Sequence, residues 1–283
     1  MFSYAYAFTV DRQAYILRVN TFLEDFQKDT FAYQHFTTPS LPIPRMVRLG
    51  QFDDRWYFAI TTRCPGQTLA EMAEIDARRV APGLFETLDA IRWIDVSSFR
   101  GWGLTDAWGN GLFSDWPNYL LSQYNQKFDQ QWIDLARRTF LEKDVYQTFF
   151  KEMEQLLPYC PAEKYLVHGD FGFDNVVSDG QRITGVLDWA ECRLGDYVYD
   201  IAYLDFWSRQ IPYGQLWQDY AAAQGYDVPY FAERIRCYML NIGLGSLVIA
   251  AAQEDERDYI RVRERTCSVL QQPGRRSPTD WTQ

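Results

Sequence analysis

A chain of 283 residues, 47% of them hydrophobic, has enough apolar material to bury a substantial core, so disorder is not its default and one large domain or two lobes are expected. Its formal net charge of -10 argues against nucleic acid as a partner, because binding a phosphate backbone rests on clustered Lys and Arg, whereas an acidic surface attracts cations. No apolar run approaches the roughly 20 residues of a membrane span, and Met1-Phe2-Ser3-Tyr4 lacks the basic region and apolar core of a secretory signal, so a cytoplasmic protein without a membrane partner is expected.

In chain order, Phe2 to Val10 and Ala14 to Asn20 are rich in aromatic and β-branched residues around Asp11-Arg12-Gln13, which predicts a hairpin. Phe26, Tyr33 and Phe36 are spaced for one face of a helix over Glu24 to Phe36. Leu41-Pro42-Ile43-Pro44 forbids helix and predicts an extended connection, and Val47 to Leu49 and Trp56 to Thr62 read as two strands paired through Asp53-Asp54. Residues 1–63 therefore read as a small, mostly antiparallel sheet with one helix. Beyond Cys64-Pro65-Gly66 the pattern turns helical. Leu84, Leu88 and Ile91 mark a helix from Pro82 to Ile94, the Gly- and Trp-rich stretch from Gly101 to Trp116 reads as loop, and Val145, Phe149, Met153, Leu156 and Leu157 form a stripe ended by Pro158. Pro229 to Ala252 is apolar and helical again. Residues 271–283 have little to bury and read as a mobile tail. Five cysteines, Cys64, Cys160, Cys192, Cys237 and Cys267, are scattered without a C-x-x-C pair, which predicts reduced thiols rather than a zinc site or disulfide framework.

Between the helical blocks, Tyr165-Leu166-Val167 leads into His168-Gly169-Asp170-Phe171-Gly172-Phe173-Asp174-Asn175. Asn175 to Ser178 and Arg182 to Leu187 then flank Asp179-Gly180, a strong hairpin signal. Folding that hairpin brings Asn175 opposite Asp188. Phosphoryl transfer needs a carboxylate to orient the attacking hydroxyl and two oxygen ligands to hold magnesium on a nucleotide's phosphates, and Asp170, Asn175 and Asp188 can fill those posts.

At these residues the chain resembles the aminoglycoside phosphotransferases, relatives of the protein kinases. His168-Gly169-Asp170 with Asn175 five residues beyond Asp170, followed by a strand ending in Asp188-Trp189, is similar to that family's catalytic loop and magnesium-binding motif. The members that act on hygromycin B also share Leu17-Arg18-Val19-Asn20, Leu41-Pro42-Ile43-Pro44, Leu166-Val167-His168, Arg182-Ile183-Thr184 and Tyr238-Met239-Leu240, in order, to about residue 245. The resemblance implies an α+β, protein kinase-like fold of two lobes. The small antiparallel N-terminal lobe, 1–63, would bind nucleotide, and a larger, mainly helical lobe, 64–270, would carry the catalytic and substrate-binding parts.

It further implies an ATP- and magnesium-dependent transfer to a hydroxyl of a cationic aminoglycoside or aminocyclitol such as hygromycin B. Asp170 would be the catalytic carboxylate, and Asn175 and Asp188 the magnesium ligands. Arg18 would grip nucleotide phosphates with Asp29 as its partner, and main-chain groups of Thr61, Thr62 and Arg63 would meet the adenine. His168 and Asp200 would brace the catalytic loop. Asp174, Glu191 and Asp205 are candidate ligands for substrate ammonium groups, and Trp207 can stack on a sugar ring or fill core. The family places a phosphate-covering loop and its leading strand before the Arg18 hairpin, while this chain starts at what should be the second strand. The small lobe is therefore expected to lack both, which leaves weak nucleotide binding, a covering segment from elsewhere, or a start codon assigned too late. Another alcohol such as choline, homoserine or a sugar is the alternative acceptor, and a disabled kinase-like binding protein is the alternative without catalysis.

Overall fold

The structure, a computed structural model, describes residues 4–122, 131–208 and 210–271. The predicted hairpin is β1 (Tyr4–Val10) and β2 (Gln13–Asn20), joined at Asp11 and Arg12, whose φ angles of 48° and 67° suit the twist of a two-residue turn. Helix α1 (Leu23–Phe36) buries Phe26, Ala32 and Phe36, and also Asp29. Strands β3 (Met46–Gln51) and β4 (Tyr57–Thr62) complete an antiparallel sheet in the order β1-β2-β4-β3. Asp53 supports the turn between them by accepting from the Arg55 and Trp56 N–H groups at 2.8 and 2.9 Å. The extended connection buries Leu41 and Ile43, and the Pro42 carbonyl accepts from the Val186 N–H at 2.8 Å, which ties the small sheet to the hairpin turning at Asp179-Gly180.

The larger part begins with β5 (Gln67–Thr68) and α2 (Glu74–Arg92). The helix expected to start at Pro82 starts at Glu74 instead and carries Pro82 inside it. An interior proline costs about 3 kcal/mol. Buried Ala77, Val80, Ala81, Leu84, Leu88 and Ile91 run as one stripe through the proline and offset that cost.

The stretch from Gly101 to Trp116 is not plain loop. It holds β6 (Trp102–Thr105) and β7 (Gly111–Phe113) and leads into α3 (Trp116–Leu121). Its glycines serve close strand pairing here: a Cβ on Gly111 would lie 2.2 Å from the Trp102 nitrogen. Helices α4 (Gln131–Arg138) and α5 (Lys143–Leu156) follow, then β8 (Tyr165–Val167), β9 (Val176–Ser178), β10 (Ile183–Val186) and β11 (Arg193–Gly195). These strands form two small sheets, β10-β9-β5 and β7-β6-β11-β8, so the second includes two strands from the region read as loop.

Helices α6 (Val198–Trp207), α7 (Tyr213–Ala223), α8 (Phe231–Ala252) and α9 (Glu256–Gln271) pack beneath them. Helix α8 corrects one expectation, since its 22 residues include an 18-residue stretch with a mean hydropathy of 1.6 and are long and apolar enough to cross a membrane. It is instead a core helix, packed against α5, α6 and α9. Its Arg234 is buried and donates through Nε and Nη2 to the fully buried Asp196 at 2.8 and 2.6 Å. The tail expected over 271–283 lies, past Gln271, outside the described residues.

Close packing around β11 yields a stability prediction. A Cβ on Gly195 would fall 2.3 Å from the ring of Trp116, itself held by Tyr119 and Tyr238. Gly195→Ala should therefore lower unfolding free energy by about 1–3 kcal/mol in urea titrations, and an unchanged midpoint would contradict the rigidity assigned to this layer.

Candidate active site

Strand β8 delivers the chain to a tight loop at His168-Gly169-Asp170. Gly169 has φ of 84°, and a Cβ there would sit 2.2 Å from the Glu191 carbonyl oxygen, so the position requires glycine. Asp200, in the first turn of α6, accepts the N–H groups of His168 and Gly169, each at 2.8 Å. Burial pushes the Asp200 carboxyl up to about 6, against the opposite pull of those two donors and Arg193.

The His168 Nε2 lies 2.9 Å from the Leu187 carbonyl and so carries the proton, while Nδ1 accepts from the Asp170 N–H at 3.3 Å. Burial lowers His168 to about 4, which leaves the ring neutral near pH 7. A neutral ring with both nitrogens engaged ties the loop to the strand end that precedes Asp188.

The hairpin β9–β10 sets the other two groups. The Leu187 N–H donates to the Asn175 carbonyl at 2.7 Å, which aligns the two strand ends. Asn175 Nδ2 donates to Asp170 Oδ2 at 2.8 Å and to the Asp170 carbonyl at 3.1 Å, leaving the amide oxygen available to a cation. Asp188 sits in the left-handed region, at φ 58° and ψ 78°, which costs a non-glycine residue about 1–2 kcal/mol.

Asp188 is clamped by Arg18. The guanidinium bridges two carboxylates, donating from Nη1 to Asp29 Oδ2 at 2.6 Å and from Nη2 to Asp188 Oδ2 at 2.9 Å. Asp29 Oδ1 in turn accepts the Trp189 N–H at 2.8 Å. Burial pushes the Asp29 carboxyl up, opposed chiefly by the Arg18 charge.

Two cavities flank this core. The first, of about 400 Å³, lies between the small sheet and the β9–β10 hairpin and is lined in part by Arg18, Thr61, Thr62, Arg63, Glu71 and Asp188. The N–H groups of Thr62 and Arg63 are already given to the carbonyls of Arg45 and Ala14, at 3.0 and 3.1 Å. A base bound here must use other main-chain groups of the connector. The second cavity, of about 420 Å³, is lined in part by Asp170, Asp174, Asn175, Tyr203, Trp207 and Arg261.

Charge is unbalanced at the junction of the two. Asp29, Asp170, Asp188, Glu191 and Asp200 interact there with two guanidiniums, the partly buried Arg18 and the buried Arg193. Burial, with the Asp188 and Glu191 charges, pushes Asp170 up to about 6, against the pull of the nearby Tyr203 hydroxyl and Arg193 charge. Among the described residues no group of three Asp, Glu, His or Cys is arranged to hold a metal. Magnesium keeps several waters and takes one or two protein oxygens plus substrate phosphates. The Asn175 amide oxygen, whose nitrogen is turned to Asp170, and the partly exposed Asp188 carboxylate fit that role.

The candidate substrate ligands separate. Asp174 lines the second cavity. Glu191 is half-exposed and pairs with Arg193 at 2.7 Å. Asp205 is not among the residues lining that cavity, and its carboxylate accepts the Gly214 N–H at 3.2 Å at the start of α7. Trp207 is both partly buried in the core and part of the cavity wall. Sequence reasoning passed over Tyr203, Arg193 and Arg261. Tyr203 carried a signal, standing four residues before Trp207 on the same helical face, whereas Arg193 and Arg261 had none.

Comparison with known proteins agrees with this geometry. The family model described as "Phosphotransferase enzyme family" matches residues 3–233. Hygromycin-B 4-O-kinase of Escherichia coli is 29% identical over 99% of this chain and 84% of its own length, and an Escherichia coli aminoglycoside 3'-phosphotransferase is 36% identical over 62% of this chain and 61% of its own. A crystal structure of a thermostable variant of aminoglycoside phosphotransferase APH(4)-Ia, in ternary complex with AMP-PNP and hygromycin B, superposes with a TM-score of 0.85 at 28% identity, over 95% of this chain and 90% of that one. With the resemblance running through both cavities and the loop between them, the chain belongs to the phosphotransferase enzyme family and is an ATP-dependent kinase of the aminoglycoside phosphotransferase fold.

Proposed function

We propose that the protein transfers the γ-phosphoryl group of ATP to a hydroxyl of an aminoglycoside or related aminocyclitol, with hygromycin B the first acceptor to test. The observation that carries this reading is the back-to-back placement of two cavities. Asp188 and Arg18 stand in one, and Asp170, Asn175 and Asp174 in the other.

The nucleotide occupies the first cavity, with Arg18 toward its phosphates. The acceptor enters the second, drawn by the excess of carboxylates, and Asp174 pairs with an ammonium group. Asp170 accepts the proton of the attacking hydroxyl as its oxygen bonds to the γ-phosphorus, while the bond from that phosphorus to the β-bridging oxygen breaks and ADP leaves. Magnesium, when bound at Asn175 and Asp188, supplies charge neutralisation for the phosphates. Asp29 keeps Arg18 aimed, and His168 and Asp200 hold the loop.

The test is transfer from γ-labelled ATP with magnesium to hygromycin B, beside choline, homoserine and simple sugars. Phosphorylation of hygromycin B is expected, together with a nucleotide-induced rise in melting temperature. Transfer only to one of the other alcohols would replace the acceptor class. Absence of both transfer and thermal shift would leave a kinase-like binding protein.

A further inference from the structure

The small sheet has an edge at β3 and an edge at β1, and only the first is protected. At β3 the register shifts between Met46 and Arg48, so a bulge and a charged side chain interrupt that edge. Strand β1 pairs with β2 without a shift along all 7 of its residues, every one of them exposed. From Tyr4 to Val10 it carries no charged side chain, proline or glycine, and among the described residues no other strand lies along it. A long, regular, uncharged edge is a template for another strand.

Which groups that edge offers follows from the pairing. The Ala14 carbonyl accepts from the Arg63 N–H, so Ala14 faces β4 and, by alternation, Tyr15 faces β1. Phe8, the partner of Tyr15, turns its N–H and C=O toward β2, and Ala5, Ala7 and Thr9 therefore turn theirs outward. Ala5 lines the cavity under the sheet, which puts Tyr4, Tyr6, Phe8 and Val10 on the opposite face. Tyr4 and Tyr6 are each 56% exposed there.

Ala7 stands midway between Ala5 and Thr9. A two-fold axis through it sets a second β1 antiparallel to the first, Ala7 facing Ala7 and Ala5 facing Thr9, so that every outward N–H and C=O finds a partner. The same register sets Tyr6 opposite Phe8 and Tyr4 opposite Val10, at the positions where cross-strand side chains approach most closely. Charge favours the same meeting place. Each copy carries a net charge of -10, and along β1 two copies can approach without opposing carboxylates.

We infer that β1 is a self-association edge: two copies pair their β1 strands antiparallel about Ala7 and join their small sheets into one. Because the β3 edge is interrupted, growth stops at the dimer. The inference stands apart from the transferase reading, since neither the catalytic loop nor Arg18 enters it.

Sedimentation velocity over a concentration series tests it. Wild type should pass from monomer to dimer as concentration rises through the micromolar range, and added salt should strengthen the dimer by screening the like net charges. Ala7→Pro removes an N–H that points away from β2, a place where an edge strand accepts proline, and should weaken the dimer by roughly 10- to 100-fold. A charge swap gives a test that does not depend on proline. The double variants Tyr6→Lys with Phe8→Lys and Tyr6→Glu with Phe8→Glu should each be monomeric, and an equimolar mixture of the two should recover a heterodimer. A wild type that stays monomeric throughout would overturn the inference, even with its Ala7 amide protected from hydrogen exchange, since another segment of the same chain would then hold the edge. A dimer unchanged by both kinds of substitution would overturn it too, by placing the contact on another face.

Discussion

Replacing Asp170 with Asn is expected to lower turnover by about 10²- to 10⁴-fold and, at pH 7.5 without metal, to raise the melting temperature. Both effects follow from one buried carboxylate. The amide keeps the shape and can still accept from Asn175, but it takes no proton from an attacking hydroxyl, so the nucleotide-induced thermal shift should survive while transfer stops. Stability moves the other way because burial pushes Asp170 up to about 6 from an ordinary 3.8. A group whose folded pKa is raised contributes stability that is fully present below its unfolded pKa and lost as pH rises through the folded value. At roughly 1.4 kcal/mol per pKa unit, the charged carboxylate costs up to about 3 kcal/mol at neutral pH.

Wild type and Asp170→Asn should accordingly melt close together near pH 4 and diverge by pH 7.5, with the variant higher. Magnesium-nucleotide should narrow the gap, because a nearby cation favours the carboxylate. Calorimetry across that range in EDTA, then with magnesium-ATP, reads the effect directly. A variant that melts below wild type at pH 7.5, or that keeps near-normal turnover, would contradict the assignment.

Arg18→Met should be the most damaging change on the nucleotide side. It leaves the carboxylates of Asp29 and Asp188, with side chains 10% and 35% exposed, facing each other without the cation between them. Breaking a buried pair costs about 3–5 kcal/mol, and the partial exposure of Asp188 places this case at the lower end, about 3 kcal/mol. Arg18→Lys should recover part of that loss. A single ammonium matches the charge, although it lacks the fork that reaches both partners at 2.6 and 2.9 Å. Denaturant midpoints should rank wild type above Lys above Met, with nucleotide-induced shifts in the same order. Equal midpoints would mean that the bridge contributes nothing to folding.

Much of the small sheet was legible locally. The Asp11-Arg12 turn, the helix to Phe36 and the Asp53 turn each announce themselves within a few residues through turn chemistry or periodicity. The larger part was less legible where burial overrides local preference. Pro82 reads as a helix start until the stripe from Ala77 to Ile91 is seen to be buried continuously. Gly101 to Trp116 reads as loop because its glycines are permissive, and only the pairing of β6 with β11 gives them a place.

The same division runs through the site. Asp170, Asn175 and Asp188 could be picked out because two lie in one loop and the third ends a hairpin whose turn residues are explicit. The surroundings of Asp205, Tyr203 and Arg193 could not, because their neighbours lie on other elements. Asp205 meets the start of α7, Tyr203 packs against a loop about thirty residues earlier, and Arg193 lies over the rings of Tyr119 and Tyr199 beneath Gly169.

The sequence by itself determined that one carboxylate and two further oxygen-bearing side chains, Asp170, Asn175 and Asp188, meet here, since their spacing is fixed by a short loop and a hairpin. Tertiary structure alone decided which acids face a cavity, which brace the loop, and that an arginine from the small sheet closes on Asp188. The reason is physical: hydrogen bonds within a loop or hairpin follow from neighbouring residues, whereas burial, charge pairing and cavity walls depend on segments that meet only when the whole core packs.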